Sequence, residues 1–269
     1  MKKKDLTKKC KDIRIKLLKT LNKAGSGHTA GPLGMTEVFT FLYNDFLKIN
    51  PKKPKDPKRD YLILSNGHIC PIQYVVMSDK GFFPEKELYT LRKLNSRLQG
   101  HPHREALPGL ETTSGPLGSG LSQACGIALG LKRDNKKNKV VCLTSDGEHE
   151  EGNTWEAILF AAKYDLNNLI QIIDRNNIQI DGYTEDIMPL NSLSEKYKSF
   201  NWNVIEIDGN NIKQIEKALI NADKKKTKPT VIIANTVPGK GVSFMENKYE
   251  WHGKVPNDEE LKKALEELK

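Results

Sequence analysis

The residues of this chain best suited to hold a metal ion are an Asp-Gly pair and an Asn-Asn pair. The Asp146-Gly147 pair follows the apolar run 139–144. The Asn176-Asn177 pair follows a second apolar run, 168–174. An aspartate, a neutral amide and a backbone carbonyl form a typical oxygen set for Mg2+ or Ca2+ that also holds phosphate groups. Taken alone, the two pairs could equally be ordinary turns, with the aspartate near a helix N-terminus.

The elements around the two pairs bring them to the same edge of a sheet. Both apolar runs predict buried strands, and residues 150–164 between them predict a helix. This is a β-α-β unit, whose strands are parallel and end at the same edge. Open α/β sheets bind their ligands at that edge.

Short apolar runs alternate with helical segments along the whole chain. This alternation predicts an α/β fold, a doubly wound parallel sheet flanked by helices. The predicted strands are 61–64, 140–143, 169–173, 204–207 and 231–234. The predicted helices are 5–24, 36–47, 69–78, 85–94, 121–133, 152–164, 194–200, 212–222 and 258–269.

Length and composition indicate a single cytoplasmic domain, residues 1–269. We find no linker, repeat or low-complexity tract that would divide the chain. The cysteines lack paired spacing, which favours small core residues in a reducing cytosol over disulfides or a zinc site. They are Cys10, Cys70, Cys125 and Cys142. No apolar stretch is long enough to span a membrane, and the basic start lacks the apolar region of a secretory signal.

The net charge of +9 comes from lysine clusters at 2–4, 52–58, 136–139 and 224–228. Nucleic-acid binding would need such patches together with a recognised binding module, and the sequence contains none. Aromatic residues are not interleaved with the basic runs. We therefore interpret the clusters as solvated loops and termini, and expect no nucleic-acid partner.

Three further segments place glycine and histidine ahead of predicted helices. They are SGHTAGPLGM at 26–35, LSNGH at 64–68, and GHPH at 100–103 followed by TTSGPLGSG at 112–120. Each alone could be a glycine-rich turn with a surface histidine. Together, in this order and beside the Asp-Gly pair, they closely resemble the amino-terminal half of transketolase. The resemblance runs from about Cys10 to about Leu265.

The resemblance implies thiamine diphosphate as the cofactor, held through Mg2+ or Ca2+. The implied metal ligands are Asp146, Asn176 and the backbone carbonyl of Ile178. The implied contacts to the diphosphate are Gly147, His68 and His252, where a glycine lets the backbone approach a phosphate closely. Gly115, Pro116 and Leu117 match the loop at the bridge between the two cofactor rings, and Ile180 matches an apolar contact to the thiazolium. Ile180 could equally be an ordinary core residue.

The resemblance also assigns roles to acid–base side chains. His28 and His101 match residues around the reacting carbon and the sugar hydroxyls, and His252 matches one that reaches both the diphosphate and the substrate. Neutral imidazoles suit this work because they can donate or accept a proton near neutral pH. These three are the candidate catalytic residues, whereas His103 and His149 lack such support and are predicted to be structural.

Glu151 has two interpretations. Its position favours an exposed acid in the first turn of a helix. The resemblance instead assigns it to a buried acidic network that runs towards the second active site of a dimer. Two departures from the family pattern leave the sugar preference open: His103 replaces an acid, and Ala30-Gly31 shifts a glycine. A third departure, Ser145 in place of a usual glycine, is mild because that position precedes the metal ligand.

In transketolases, the glutamate that activates the cofactor and the pocket for its pyrimidine ring lie on a second domain. No second β-α block follows in this sequence, so it resembles the amino-terminal subunit of a split transketolase. The expected partner is a carboxy-terminal subunit with the pyrimidine-binding domain, in a dimer of heterodimers, that is, a heterotetramer.

The implied reaction transfers a two-carbon ketol unit from a ketose phosphate to an aldose phosphate, as in the pentose phosphate pathway. The alternatives are a subunit of another transketolase-like thiamine enzyme, such as a deoxyxylulose phosphate synthase, and a non-catalytic assembly subunit.

Overall fold

The predicted strands all form and pair side by side in one parallel sheet. Its strands are β1 Tyr61–Leu64, β2 Val140–Ser145, β3 Leu169–Arg175, β6 Asn203–Asp208 and β7 Thr230–Asn235. Two further short strands, β4 Ile178–Gln179 and β5 Gly182–Tyr183, form a separate antiparallel hairpin. The order in the main sheet is β1-β2-β3-β7-β6. The predicted α/β fold is confirmed.

The computed structural model describes residues 3–224 and 227–269, without the side chains of Lys3 and Lys4. The lysine clusters predicted at 2–4 and 224–228 therefore lie partly outside the described residues. Within the described part, none of the helices is long and apolar enough to cross a membrane.

Helices cover both faces of the sheet. They are α1 Lys3–Ala24, α2 Ala30–Gly34, α3 Thr36–Phe41, α4 Cys70–Lys80, α5 Ser119–Arg133, α6 Gly152–Lys163, α7 Thr184–Ile187, α8 Leu193–Ser199, α9 Ile212–Lys224 and α10 Asp258–Glu267. The alternation of side chains along each strand divides the core in two. On β2, Val141 and Leu143 join the core beneath α1, α3 and α4, whereas Val140 and Cys142 join the core beneath α5, α6 and α8.

The first helix buries a stripe of apolar side chains at helical spacing: Leu6, Cys10, Ile13, Leu17, Leu18 and Leu21. Gly25 ends the helix with a φ of +71°, and its amide donates a hydrogen bond to the Leu21 carbonyl. This left-handed conformation favours glycine, which has no Cβ. All four cysteines are buried and unpaired, as expected of small core residues.

The helix predicted at 85–94 is wrong. Residues 85–94 form only a 3-10 stretch, Glu85–Thr90, because Arg92 and Asn95 take positive φ values of 59° and 63° and turn the chain back. The helix predicted at 36–47 forms as α3 followed directly by a π-helical turn at Leu42–Phe46. The hairpin β4-β5 and the short α7 were not predicted.

Candidate active site

The two polar pairs meet at the carboxyl edge of the sheet. Parallel pairing sets Ser145 on β2 level with Asp174 on β3, so the residues that follow both strands are neighbours. Asp146 is fully buried, and its carboxylate accepts hydrogen bonds from the amides of Gly147 at 2.8 Å and Asn177 at 2.6 Å. The predicted juxtaposition of the Asp-Gly and Asn-Asn pairs is therefore present.

Asn176 is held in the same corner by bonds at both ends of its amide. Its Nδ2 donates to Asp174 Oδ2 at 2.7 Å, and its Oδ1 accepts from the Ile178 amide at 3.0 Å. An amide oxygen has two lone pairs, so Oδ1 keeps one for a further partner. Thr236 donates to the other oxygen of Asp174.

Burial governs the charge of this corner. It raises the pKa of Asp146 to about 6, against the opposing effects of Arg175 and of the Asn177 and Gly147 amides. It raises the pKa of Asp174 to about 7, against the hydrogen bonds from Thr236 and Asn176. Two buried carboxyl groups at one strand edge make a site where a cation would be stabilised.

The donor set matches a hard divalent cation. Among residues 3–224 and 227–269, no group of three His, Cys, Asp or Glu side chains is placed to hold a metal. What the corner does offer is the Asp146 carboxylate and the Asn176 amide oxygen, to which the resemblance adds the carbonyl of Ile178, and oxygen ligands of this kind suit Mg2+ and Ca2+.

Four glycines of the motif segments differ in whether the packing of the chain leaves room for a side chain. A Cβ on Gly118 would lie 1.8 Å from Asn153 Oδ1, and one on Gly120 would lie 2.5 Å from Ser65 Cα, so packing excludes a side chain at both. A Cβ on Gly147 would meet its nearest atom at an ordinary 3.4 Å, and one on Gly115 would meet nothing within 4 Å. The packing of this chain therefore leaves room at the two glycines that the resemblance assigns to the cofactor.

Three histidines from three separate loops meet beside the corner, and we call His28, His68 and His252 the histidine cluster. The distances between ring centroids are 4.9 Å for His28–His68, 5.4 Å for His28–His252 and 5.2 Å for His68–His252. His101 lies close by, since a Cβ on Gly67 would be 3.2 Å from His101 Cδ2. All four motif histidines thus surround one region.

These imidazoles are neutral at physiological pH. Burial, reinforced by His252, Arg92 and His101, lowers the pKa of His28 to about 4. Burial also lowers the pKa of His68 and of His252, and burial together with Arg92 lowers that of His101. A neutral ring can accept a proton at one nitrogen and donate one at the other.

Buried polar atoms without partners border the histidine cluster. Within the described part of the chain, His28 Nδ1, both amide atoms of Asn66 and Ser114 Oγ are buried and make no hydrogen bond. Buried polar groups of native proteins nearly always have a partner, and each exception calls for an explanation. These atoms belong to the predicted motif segments, so they fit a polar ligand such as the cofactor or a sugar.

A residue that was not predicted ties the motif loops together. Glu148 Oε1 accepts from Ser65 Oγ at 2.5 Å and from the Gly118 amide at 2.6 Å, and Oε2 accepts from the Ser145 amide at 3.2 Å. Burial raises the pKa of Glu148, against these three hydrogen bonds. The only signal for Glu148 in the sequence is its place directly after Asp146-Gly147.

The remaining predicted residues occupy the rim of this region. Glu151 is exposed at the start of α6, so a buried role would require another chain to cover it. Leu117 is half-buried, and its carbonyl accepts from Asn153 Nδ2 at 3.3 Å. Ile180 is 66% exposed, so its interpretation as a core residue is wrong.

The two histidines predicted to be structural lie outside the histidine cluster. His149 is buried, with Nδ1 at 2.7 Å from the Ser145 carbonyl and Nε2 at 2.8 Å from the Tyr197 hydroxyl. His103 is exposed.

Comparison with known proteins gives consistent similarities. Residues 6–268 match the family described as transketolase, thiamine diphosphate binding domain. The chain is 42% identical to an apulose-4-phosphate transketolase subunit of Actinobacillus succinogenes, over 98% of this chain and 96% of that protein. It is 40% identical to a 6-deoxy-6-sulfo-D-fructose transketolase subunit of Clostridium sp., with the same two coverages of 98% and 96%.

The fold is similar to that of a full-length transketolase. Transketolase from Campylobacter jejuni superposes with a TM-score of 0.94 at 32% sequence identity. The match covers 100% of this chain but only 43% of that transketolase.

Proposed function

The chain belongs to the transketolase family, whose thiamine diphosphate binding domain it matches over residues 6–268, and we propose that it is the amino-terminal subunit of a split transketolase. With a carboxy-terminal subunit it transfers a two-carbon ketol unit from a ketose phosphate to an aldose phosphate. One observation carries this proposal. The Asp146 corner, whose proposed metal site has one carboxylate, lies near four neutral histidines, and buried polar atoms without hydrogen-bond partners lie among those histidines. Relatives named as transketolase subunits match over 96% of their own length.

In this proposal the sheet edge holds the cofactor. Asp146, the Asn176 amide oxygen and the Ile178 carbonyl hold Mg2+, and the Gly147 corner, His68 and His252 receive the diphosphate. Gly115 and Leu117 lie along the cofactor, and Ile180 covers the thiazolium. Thiamine diphosphate, when bound, would supply a carbon nucleophile for the ketose carbonyl and a cationic ring that takes up the electrons of the broken carbon–carbon bond.

The chain's own histidines act on the sugar. His28 and His101 bind its hydroxyl groups, and His252 lies where the sugar meets the diphosphate. Burial lowers the pKa of His28 and His252, and partial burial together with Arg92 lowers that of the largely exposed His101. Each neutral ring can take a proton from one hydroxyl and return it to another oxygen.

In this proposal the partner subunit supplies the rest of the active site. It carries the pyrimidine-binding domain and the glutamate that activates the cofactor, and it covers exposed groups such as Glu151 and Ile180. We expect a cytoplasmic heterotetramer, two copies of each subunit, that acts on sugar phosphates of the pentose phosphate pathway.

A reconstitution assay tests this proposal. With Mg2+, thiamine diphosphate, xylulose 5-phosphate and ribose 5-phosphate, the isolated chain should show no ketol transfer. Addition of the candidate carboxy-terminal subunit from the same genome should restore it, and a complex with Asp146→Ala serves as the inactive control. Full turnover by the pure isolated chain would contradict the split enzyme.

A further inference from the structure

Arg175, the last residue of β3, is a cation beside the Asp146 corner to which the proposed function gives no role. Its Nη1 lies 3.3 Å from Asp146 Oδ2 and 3.3 Å from Thr184 Oγ1. Its Nη2 lies 2.6 Å from Glu185 Oε1. The side chain is only 13% exposed. Arg175 therefore links the Asp146 corner to residues 178–191. We call residues 178–191 the cover segment.

Glu185 secures the far end of this contact. Besides Arg175, its carboxylate accepts hydrogen bonds from the amides of Leu190 at 3.2 Å and Asn191 at 3.1 Å. Its pKa lies below the usual value, because the hydrogen bonds from Arg175 and the two amides outweigh the effect of burial. The charged Glu185 carboxylate thus links two parts of the cover segment, α7 and residues 190–191, and binds both to Arg175 at the end of β3.

The cover segment is anchored in the core near its two ends, where Ile178 and Leu190 are buried, but the stretch between them has little apolar packing. Four of its large apolar side chains are 42–66% exposed: Ile180, Tyr183, Ile187 and Met188. Its strands have two residues each and α7 has four, lengths that are not stable in isolation. Since apolar burial fixes only the two ends, polar contacts must hold the stretch between Ile178 and Leu190 in place.

The cover segment lies directly over the corner. The Thr184 amide donates to the Asn177 carbonyl at 3.1 Å. A Cβ on Gly147 would meet Gln179 Cβ at 3.4 Å and Thr184 Cγ2 at 3.8 Å. The segment also contains Ile178 and Ile180, two of the residues proposed to contact the metal and the cofactor.

We propose that Arg175 and Glu185 form a latch that fixes the cover segment over the Asp146 corner before metal and cofactor bind. Arg175 is then a positioning residue, which acts through the placement of Ile178 and Ile180. The ordering of the segment is a property of this chain alone. Only the effect on cofactor affinity rests on the proposed function.

The charges predict an order among variants. A guanidinium near the metal repels it, and Glu185 offsets that charge. Arg175→Met removes the latch but also the repulsion, so we expect cofactor affinity to fall about tenfold, the scale of a well-formed, partly buried ion pair. Glu185→Gln removes the latch and leaves the cation uncompensated, so its loss should be larger.

Hydrogen exchange on the full chain, without metal, cofactor or partner, tests the latch directly. In Arg175→Met and Glu185→Gln, the amides of Thr184, Leu190 and Asn191 should exchange at least about tenfold faster. The amides of β3 should keep their protection. The matched controls are Arg97→Met and Glu87→Gln, which break a two-bond ion pair elsewhere (2.7 and 2.8 Å) and should leave the cover segment unchanged. Unchanged exchange over 184–191 in both latch variants would overturn the proposal.

Calorimetric titration of thiamine diphosphate with Mg2+ into the assembled enzyme tests the consequence. Weaker binding in the order Arg175→Met, then Glu185→Gln, supports positioning. Tighter binding by Arg175→Met would mean that the guanidinium only repels the metal, and would overturn it. If Asp146→Ala still bound the cofactor normally, the proposed metal site would fail, whereas the exchange result on the free chain would stand or fall separately.

Discussion

The Asp146 corner and the histidine cluster lie side by side but differ in how completely the chain satisfies them. In the corner, both oxygens of Asp146, both ends of the Asn176 amide and both oxygens of Asp174 have hydrogen-bond partners within the chain. At the cluster, His28 Nδ1, Asn66 and Ser114 Oγ are buried without partners in the described structure.

This difference separates what folding builds from what a ligand completes. The corner is preorganised by strand register and by backbone amides, so a metal would meet oxygens already in place. The cluster keeps donors and acceptors free, which is useful only where a ligand replaces the missing bonds. Variants in the two regions should therefore fail in different ways.

The largest effect is expected for Asp146→Ala. Loss of the only carboxylate proposed to bind the metal should abolish metal-dependent binding of thiamine diphosphate in the assembled enzyme. The loss of affinity should exceed the roughly 10–100-fold loss that follows mutation of a residue that hydrogen-bonds a metal ligand. Calorimetric titration measures it, and circular dichroism should show a folded chain. The exposed Asp134→Ala is the matched control, and cofactor binding as tight as the parent's would reduce the corner to a turn.

His28→Ala should break the other region. We expect cofactor affinity to remain nearly intact while turnover falls about a hundredfold, the scale of losing one acid–base group. Steady-state kinetics and calorimetry on the same sample separate the two quantities. The exposed His103→Ala should change neither. Lost cofactor binding with normal turnover at saturation would show that His28 serves the cofactor and not the sugar.

Strand positions and the meeting of the two polar pairs could be predicted because both follow from short-range pattern. Apolar runs of four to seven residues alternate with helices, and parallel strands end at one edge. The cover segment could not be predicted, because two-residue strands such as Ile178–Gln179 leave no pattern to detect.

Glu148 and Arg175 were missed for a different reason. Glu148 acts through Ser65, 83 positions away, and Arg175 through Asp146 and Glu185 on separate elements. Such contacts appear only once the fold is assembled. The helix predicted at 85–94 is wrong for the same reason. Arg92 takes a positive φ where the chain turns back, and there the Arg92 amide donates a hydrogen bond to the Leu98 carbonyl.

Acid should destabilise the histidine cluster before it affects turns at the surface. His28 has its pKa lowered from 6.5 to about 4. Between these values the unfolded chain binds a proton that the folded chain does not, so stability falls as pH falls through this window and levels off below it. From pH 7 to pH 5, His28 alone should cost about 2 kcal/mol of unfolding free energy.

Urea unfolding at pH 7 and pH 5 measures this loss. The parent should lose more stability than His28→Ala over the same interval, and the difference between the two proteins isolates His28 from Asp146 and Asp174, whose raised pKa values act with the opposite sign. Equal losses in both proteins would mean that the ring is solvated and protonates as freely as in the unfolded chain.

The smallest effect on the fold, and the sharpest test of the difference between folding and ligand binding, comes from two glycines. A Cβ at Gly147 meets only Gln179 at 3.4 Å and Thr184 at 3.8 Å, so Gly147→Ala should change the unfolding free energy by less than about 1 kcal/mol. Because the proposed diphosphate passes this backbone, cofactor affinity should still fall about tenfold.

Gly120→Ala should do the reverse: its Cβ would lie 2.5 Å from Ser65 Cα, and overpacking should cost about 1–3 kcal/mol of stability. Urea unfolding of each free chain and calorimetry of each assembled enzyme separate the two quantities. If Gly147→Ala destabilised the fold and left cofactor affinity unchanged, the glycine would serve packing, and the corner would be a structural turn that no phosphate approaches.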